Sequence, residues 1–224
     1  MTPASAKAGV RASSDDRALA LRWDAARNRT RILAAAHEVF AEQGLEAPMA
    51  EVARRAGARI ATVFRRFPAK DDLITATFAT TMADYVRAID LAVADPDPWA
   101  GFCGYVEQVC AMQANDRGFT DVLTRTFPDD VSFEANRGHA MRGFAALIQR
   151  AKVAGRLRPD FVPEDLVLFA NAGVVSATSQ AAPQASPRMV AYLLQACAAE
   201  GAQQQLPPPP SPRFIYQALR RLHQ

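Results

Sequence analysis

The chain has 224 residues, 50% of them apolar, enough for one large domain or a small module fused to a larger one, and a core of that size needs no metal or disulfide staple. Its cysteines, Cys103, Cys110 and Cys197, form no CxxC pair, and with only His37, His139 and His223 beside them they offer no zinc-ligand spacing. Residues 1–20 contain no apolar signal-peptide core, and no window approaches the ~18 apolar residues of a spanning helix. A protein of the reducing cytoplasm with no membrane partner is therefore expected.

The net charge of +3 is unevenly spread. Residues 1–70 hold 13 Lys/Arg against 7 Asp/Glu, and residues 71–224 hold 13 against 16. A basic first part beside an acidic remainder points to a polyanionic partner for the first part alone.

Residues 1–22 read as a flexible arm with scattered arginines. From Asp24 to Gln43 the apolar residues Ile32, Ala35, Ala36, Val39 and Phe40 recur at helical spacing, and Gly44 is a stop signal. Pro48 stands where a second helix can begin, and Met49, Val52, Ala53 and Ala56 repeat the pattern. Gly57 interrupts. Ile60, Val63, Phe64 and Phe67 then give a third stripe. Asp71 and Asp72 mark the first turn of a fourth helix, where negative side chains suit the helix dipole. Phe78, Met82, Tyr85 and Ile89 line it as far as the Asp95-Pro96-Asp97-Pro98 break. Further helices are expected at 98–114, 117–125, 130–154, 163–180 and 187–200, with Pro128, Pro159, Pro163, Pro183 and Pro187 as boundaries. Residues 206–212 read as an extended polyproline spacer before a short C-terminal helix at 214–219. The fold class is all-α, with no internal repeat. The expected division is an arm (1–22), a unit of three short helices (23–70), a larger helical domain (71–205) and a spacer with its terminal helix (206–224).

Two short helices around a glycine turn, braced by a preceding helix, form a helix-turn-helix unit. Its third helix would turn Arg59, Thr62, Arg65 and Arg66 outward, with the small Ala61 allowing close approach; Arg and Thr suit base edges and phosphates of a major groove. The order of residues is more specific than the spacing. Thr30-Arg31-Ile32-Leu33-Ala34-Ala35-Ala36 through Phe40-Ala41-Glu42-Gln43-Gly44 resembles the first helix of the tetracycline-repressor (TetR) family. Ala47-Pro48-Met49-Ala50-Glu51-Val52-Ala53-Arg54-Arg55-Ala56-Gly57 resembles its second helix and turn, and Ala61 to Leu73 its recognition helix and the start of helix 4. The resemblance covers about residues 27–80. Three departures stand out: Phe64 replaces the family's usual Tyr, Ala58-Arg59 replaces a hydrophobic-then-small pair, and Ala47 and Ala69 occupy positions where Ser or Thr commonly caps a helix.

The resemblance implies a homodimer that places two recognition helices in successive major grooves of a double-stranded operator, about 34–36 Å apart. Base reading then falls to Arg59, Ile60, Ala61 and Thr62. Lys70 matches the family's phosphate-contacting lysine, and Phe64, Arg65, Arg66, Pro48, Met49 and Arg29 complete the expected DNA surface. The C-terminal helices are implied to bind an unknown small-molecule effector and to make the dimer. Trp99, Phe102, Cys103, Phe119, Phe127, Phe144 and Phe169 are its apolar candidates; His139, Arg142 and Asn171 are the polar ones. Ala170, Gly173, Ser176 and Ala177, with Tyr192, Leu194 and Gln195, are the expected dimer contacts. No metal or cofactor is expected.

Two rivals remain. One is a helical enzyme, but the G-x-S-x-G, H-E-x-x-H, G-x-x-x-x-G-K-[ST] and G-x-G-x-x-G patterns are missing, and the carboxylate pairs Asp129-Asp130 and Glu164-Asp165 follow prolines at helix starts, where capping explains them. The other is an interaction protein of the same fold that has lost DNA binding; salt-dependent duplex binding discriminates.

Overall fold

The computed structural model describes residues 14–167, 182–201 and 204–208. We number the helices α1 (Ser14–Gln43), α2 (Met49–Arg55), α3 (Ile60–Arg66), α4 (Lys70–Ala94), α5 (Pro98–Asn115), α6 (Arg117–Thr124), α7 (Val131–Val153) and α8 (Ala182–Cys197). A short 3-10 turn, Ala199–Gly201, follows. Residues 163–167 are also helical, and the rest of the helix expected to 180 lies outside the described residues. Among the described residues the one β feature is an isolated antiparallel bridge between Leu157 and Ala198. None of their helices is long and apolar enough to cross a membrane.

The first three helices make a miniature core from Ile32, Ala36, Val39 and Phe40 of α1, Val52 and Ala53 of α2, and Val63 and Phe67 around α3. The turn between α2 and α3 is a Schellman cap. Ala58 N–H bonds to Ala53 C=O (2.9 Å) and Gly57 N–H to Arg54 C=O (3.1 Å). Gly57 has φ +59° in open space, so its backbone conformation, not crowding, calls for glycine. Gly155 closes α7 in the same way, at φ +68°.

α4 runs from the DNA-binding unit into the larger helical core. It buries Leu73, Ile74, Phe78, Met82, Tyr85 and Ile89 and packs mainly on α7 and α5. The two parts are joined without a gap by aromatic rings. Trp99, Phe102, Phe144, Tyr105, Tyr85, Phe119, Phe78 and Phe40 touch in succession, with centroids 5.2–6.4 Å apart.

Beyond α7, buried Arg158 ties the chain together. Its guanidinium pairs with Asp160 and donates to the carbonyls of Ala196 (3.3 Å) and Gln204 (2.9 Å), while Leu206 N–H donates to Asp160 (2.8 Å). Residue 206, the expected start of the spacer, is therefore fastened to the helical core by its first amide.

Three boundaries differ from expectation. α1 begins at Ser14, ten residues before Asp24, so residues 14–22 are helical rather than part of a flexible arm. Asp15 and Asp16 in the first turn, followed by Ala18-Leu19-Ala20-Leu21, favour a helix without forming an apolar stripe. α2 starts at Met49, with Pro48 just outside as the flanking residue. α8 starts at Ala182 and carries Pro187 inside. The stripe Ser186, Val190, Leu194 and Cys197 is buried, and packing of that stripe on α5 outweighs the hydrogen bond that Pro187 removes.

Candidate nucleic-acid interface and its link to the helical core

α3 buries only Val63 between its ends. The expected apolar stripe was Ile60, Val63, Phe64 and Phe67, yet Ile60 is 41% and Phe64 47% exposed, while Val63 and Phe67 fill the core. The outward face of α3 is therefore mixed. Arg59, Ala61 and Arg65 are exposed beside Ile60 and Phe64, with Thr62 and Arg66 half-buried at its edge. Large apolar side chains on a basic helix can meet thymine methyls, and guanidiniums meet guanine edges and phosphates.

Charge pairing separates structural arginines from available ones. Arg55 bonds to Glu42 (2.7 Å) and Glu38 (3.3 Å) across α1, and Arg54 to Glu51 (2.6 Å) within α2. These hydrogen bonds raise both guanidinium pKa values and hold Glu42 and Glu51 below the usual carboxylate range. Among the described residues, no ion pair engages Arg59, Arg65 or Arg66. The sequence shows five arginines in that stretch without distinguishing them; the three on and before α3 are the unneutralised ones.

The other expected DNA residues divide. Pro48 is exposed at the start of α2, but Met49 is 7% exposed and belongs to the miniature core, because the first turn of α2 faces α1. Arg29 lies over the Phe67 ring at 5.1 Å, which fixes its stem beside α3. Lys70, the first residue of α4, is three-quarters buried and faces Glu46 at 3.5 Å.

Glu46 leads to a group of residues that sequence reasoning missed. Arg125, just after α6, donates to Glu46 (3.0 Å) in the α1–α2 turn and to Asp71 (2.9 Å) at the start of α4. Arg137 of α7 donates to the Arg125 carbonyl (3.1 Å) and pairs with Glu134, whose other oxygen accepts from Phe127 N–H (2.8 Å). His37 of α1 meets Asp116, the cap of α6, at 2.8 Å. These polar ties span 79 residues of sequence in two cases, which no local pattern announces.

The expected effector residues do not form one site. Trp99 stacks on Phe102, Phe102 on Phe144, and Phe161 meets Phe102 edge-on at 5.3 Å, with Cys103 half-buried at their margin. Phe119 lies apart from these, next to Tyr85 and Phe78. Phe127 is at the Arg125 end, packed on Phe133. His139 and Arg142 are at the surface, His139 paired with Asp90 at 2.7 Å, because their face of α7 looks away from the aromatic core. Burial pushes the Cys103 thiol up to about 11 and those of Cys110 and Cys197 up to about 12, with nearby carboxylates adding to the shift at Cys103 and Cys197. Phe169 and Asn171 lie outside the described residues, as do Ala170, Gly173, Ser176 and Ala177 among the expected dimer contacts. Tyr192 and Gln195 are exposed on α8, whereas Leu194, 6% exposed, points into the protomer's own core.

Comparison with known proteins agrees with this architecture. The model of bacterial regulatory proteins of the tetR family matches residues 32–77, and that of the SbtR-like transcriptional regulator C-terminal domain matches residues 97–198. The TetR transcription regulatory protein from Mycobacterium vanbaalenii is 30% identical, over 80% of this chain and 99% of that one, with a TM-score of 0.42. PfmR from Thermus thermophilus is 19% identical, over 78% of this chain and 100% of that one, with a TM-score of 0.53. FadR from Bacillus subtilis, solved in complex with stearoyl-CoA, is 14% identical, over 74% of this chain and 97% of that one, with a TM-score of 0.51. No curated protein matches the chain. The two family models together span about two thirds of the sequence, one on either side of residues 78–96, and the chain belongs to the TetR family of helix-turn-helix transcriptional regulators.

Proposed function

We propose that this protein is a repressor that binds a palindromic operator as a homodimer and leaves it when a small, largely apolar effector binds the C-terminal helices. The observation that carries the reading is the outward face of α3, where Arg59, Ile60, Ala61, Phe64 and Arg65 are exposed and the arginines have no acidic partner among the described residues. Ile60 and Phe64 lie beside these arginines on the same exposed face. Lys70 and Arg66 then grip phosphates, and residues 23–70 act as the DNA-binding unit. Residues 71–205 act as the effector and dimerisation domain, leaving 206–224 as spacer and terminal helix. Tyr192 and Gln195 on the outer face of α8 are dimer contacts. The effector sits at the Trp99–Phe102–Phe144 end of the aromatic series, beside Cys103.

Release requires that the effector favour a conformation with the wrong recognition-helix spacing. α4 is the lever, being shared by both parts, and Arg125 is the hand on it, since it holds Glu46 and Asp71 together. The test is selection of bound sequences from a pool of random duplexes, followed by a salt titration. Enrichment of a two-fold symmetric site with steep salt dependence is the expected result. Failure to enrich any sequence, with only weak binding that ignores sequence, would overturn the operator reading and leave an interaction protein of this fold.

A further inference from the structure

α1 outruns the core it serves. Its buried residues run from Ile32 to Phe40, yet the helix begins at Ser14. Residues 14–31 therefore extend about 27 Å beyond the first buried turn, at about 1.5 Å per residue. None of the side chains described in residues 22–31 is buried, and Trp23 is 74% exposed. Residues 22–31 therefore contribute no buried side chain to the core and are open to a partner.

The chemistry of the projecting half identifies the partner. From Ile32 toward the N-terminus, the core-facing stripe continues through Arg29, Asn28 and Ala25, so it turns polar where the core ends. Asn28 and Ala25 wall a groove of about 480 Å³, closed on its other side by Thr62, Arg65 and Arg66 of α3. An adjoining groove of about 420 Å³ runs between Arg27, Asn28 and Arg31. Arg27, Arg31, Arg65 and Arg66 thus surround Asn28 where α1 and α3 diverge. Asp24, common to both grooves, is the single carboxylate among these lining residues. Among the described residues neither Arg27 nor Arg31 has an ion-pair partner, and Arg31 makes only a 3.3 Å hydrogen bond to Asn28. Four guanidiniums against one carboxylate, continuous with the outward face of the recognition helix, complement a phosphate backbone.

We infer that residues 22–31 of α1 are a second DNA-contacting element, in which Arg27 and Arg31, with Arg65 and Arg66 of α3, cradle backbone phosphates flanking the bases that α3 reads. The inference rests on the DNA-binding reading of α3. The contact carries no sequence information; it adds affinity and lengthens the site on each side.

The experiment measures binding of the full chain to a duplex carrying the selected site, and to a random duplex, across a range of salt. The paired variant Arg27→Gln/Arg31→Gln removes two exposed cations per protomer and leaves the core untouched, which a thermal melt checks. Affinity for both duplexes should fall by the same factor. The slope of log K against log salt should become shallower by up to about 3.6, since each lost phosphate contact changes it by about 0.9 and a dimer loses four. Asp24→Asn should act in the opposite direction and tighten both complexes. Trimming the duplex outside the selected site should weaken the wild type more than the paired variant. The control is Arg65→Gln/Lys70→Met. If the control weakens binding while the paired variant and Asp24→Asn leave affinity and slope unchanged, the α1 contact is overturned and the α3 reading stands. If the control also has no effect, the α3 reading falls and takes this inference with it.

Discussion

The helices of the two halves begin differently. α5, α6 and α7 each start on an aspartate that accepts backbone N–H groups: Asp97 from Trp99 (2.8 Å) and Ala100 (3.3 Å), Asp116 from Phe119 (3.1 Å), and Asp130 from Phe133 (3.0 Å). α2, α3 and α4 start on Pro48, Arg59 and Ala69, with no side-chain acceptor at any of them. Asp72 recovers part of the loss at α4 by accepting from Ala69 N–H at 2.8 Å, which is half of a capping box. A missing cap costs about 1 kcal/mol. The difference teaches what each half faces. At the cap position itself the DNA-facing half carries no carboxylate, although Glu51 stands in the first turn of α2, and Asp71 and Asp72 in that of α4.

The largest expected effect tests whether halves so different still fold as one. Phe78 of α4 touches His37 and Phe40 of α1 and Phe119 of α6, and is fully buried. Phe78→Ala should lower the unfolding free energy by about 3–5 kcal/mol in urea denaturation, with both halves melting in a single transition. Two separated transitions, or a loss under about 1 kcal/mol, would mean that the ring series is not a shared core.

The capping contrast itself can be broken from either side. Asp130→Ala should cost about 1 kcal/mol at neutral pH. Hydrogen bonds from the Phe133 N–H, then from the hydroxyls of Ser132 and Thr75 and the Ser132 N–H, hold the Asp130 carboxyl below its usual range. A depressed folded-state pKa means that this contribution is complete above the unfolded value of about 3.9 and fades as pH falls through the lower folded value. The gap between wild type and variant in a denaturation series should therefore close in acid; a gap that widened there would refute the assignment. On the other side, Ala69→Ser should stabilise α4 by about 0.5–1 kcal/mol without harming duplex binding. Ala69→Asp should give a similar gain in stability but weaker binding, because its charge meets the backbone phosphates. Equal binding by the Ser and Asp variants would show that the start of α4 is not near phosphate.

These contrasts were legible in the sequence to different depths. The spacing around Gly57 and the apolar stripes of α1, α2 and α4 are local patterns, and they placed three of the four helices nearest the turn within a few residues. Met49 and Leu194 were expected at surfaces but are buried in the protomer's own core, since which face of a helix looks inward near its end depends on its neighbour. The cap at Asp130 is readable from the proline before it, whereas Asp97 and Asp116 are visible as residues but not as caps until the helix starts are known. The N-terminal half of α1 escaped notice because it has no apolar stripe to find. Arg125 escaped for a different reason: its partners lie 54 and 79 residues away, and a lone arginine after a helix has no signature.

Arg125 supports the smallest and most informative prediction. Glu46 accepts from Arg125 at 3.0 Å and lies 3.5 Å from Lys70, so one carboxylate serves both the α6–α7 connection and the proposed phosphate-gripping lysine. Both pairs are partly exposed, and a double-mutant cycle of Glu46→Gln with Arg125→Gln should return a coupling of only about 0.2–1 kcal/mol in stability. DNA binding should respond in a distinct pattern. Glu46→Gln frees Lys70 and should tighten binding to every duplex. Arg125→Gln leaves Glu46 to Lys70 alone and should weaken it. The double variant should resemble Glu46→Gln, because with the carboxylate gone Arg125 no longer has a hold on the lysine. If instead the two single effects simply add, Arg125 acts on DNA through Asp71 or not at all, and the route from the helical core to the DNA surface runs through the packed rings of α4 alone.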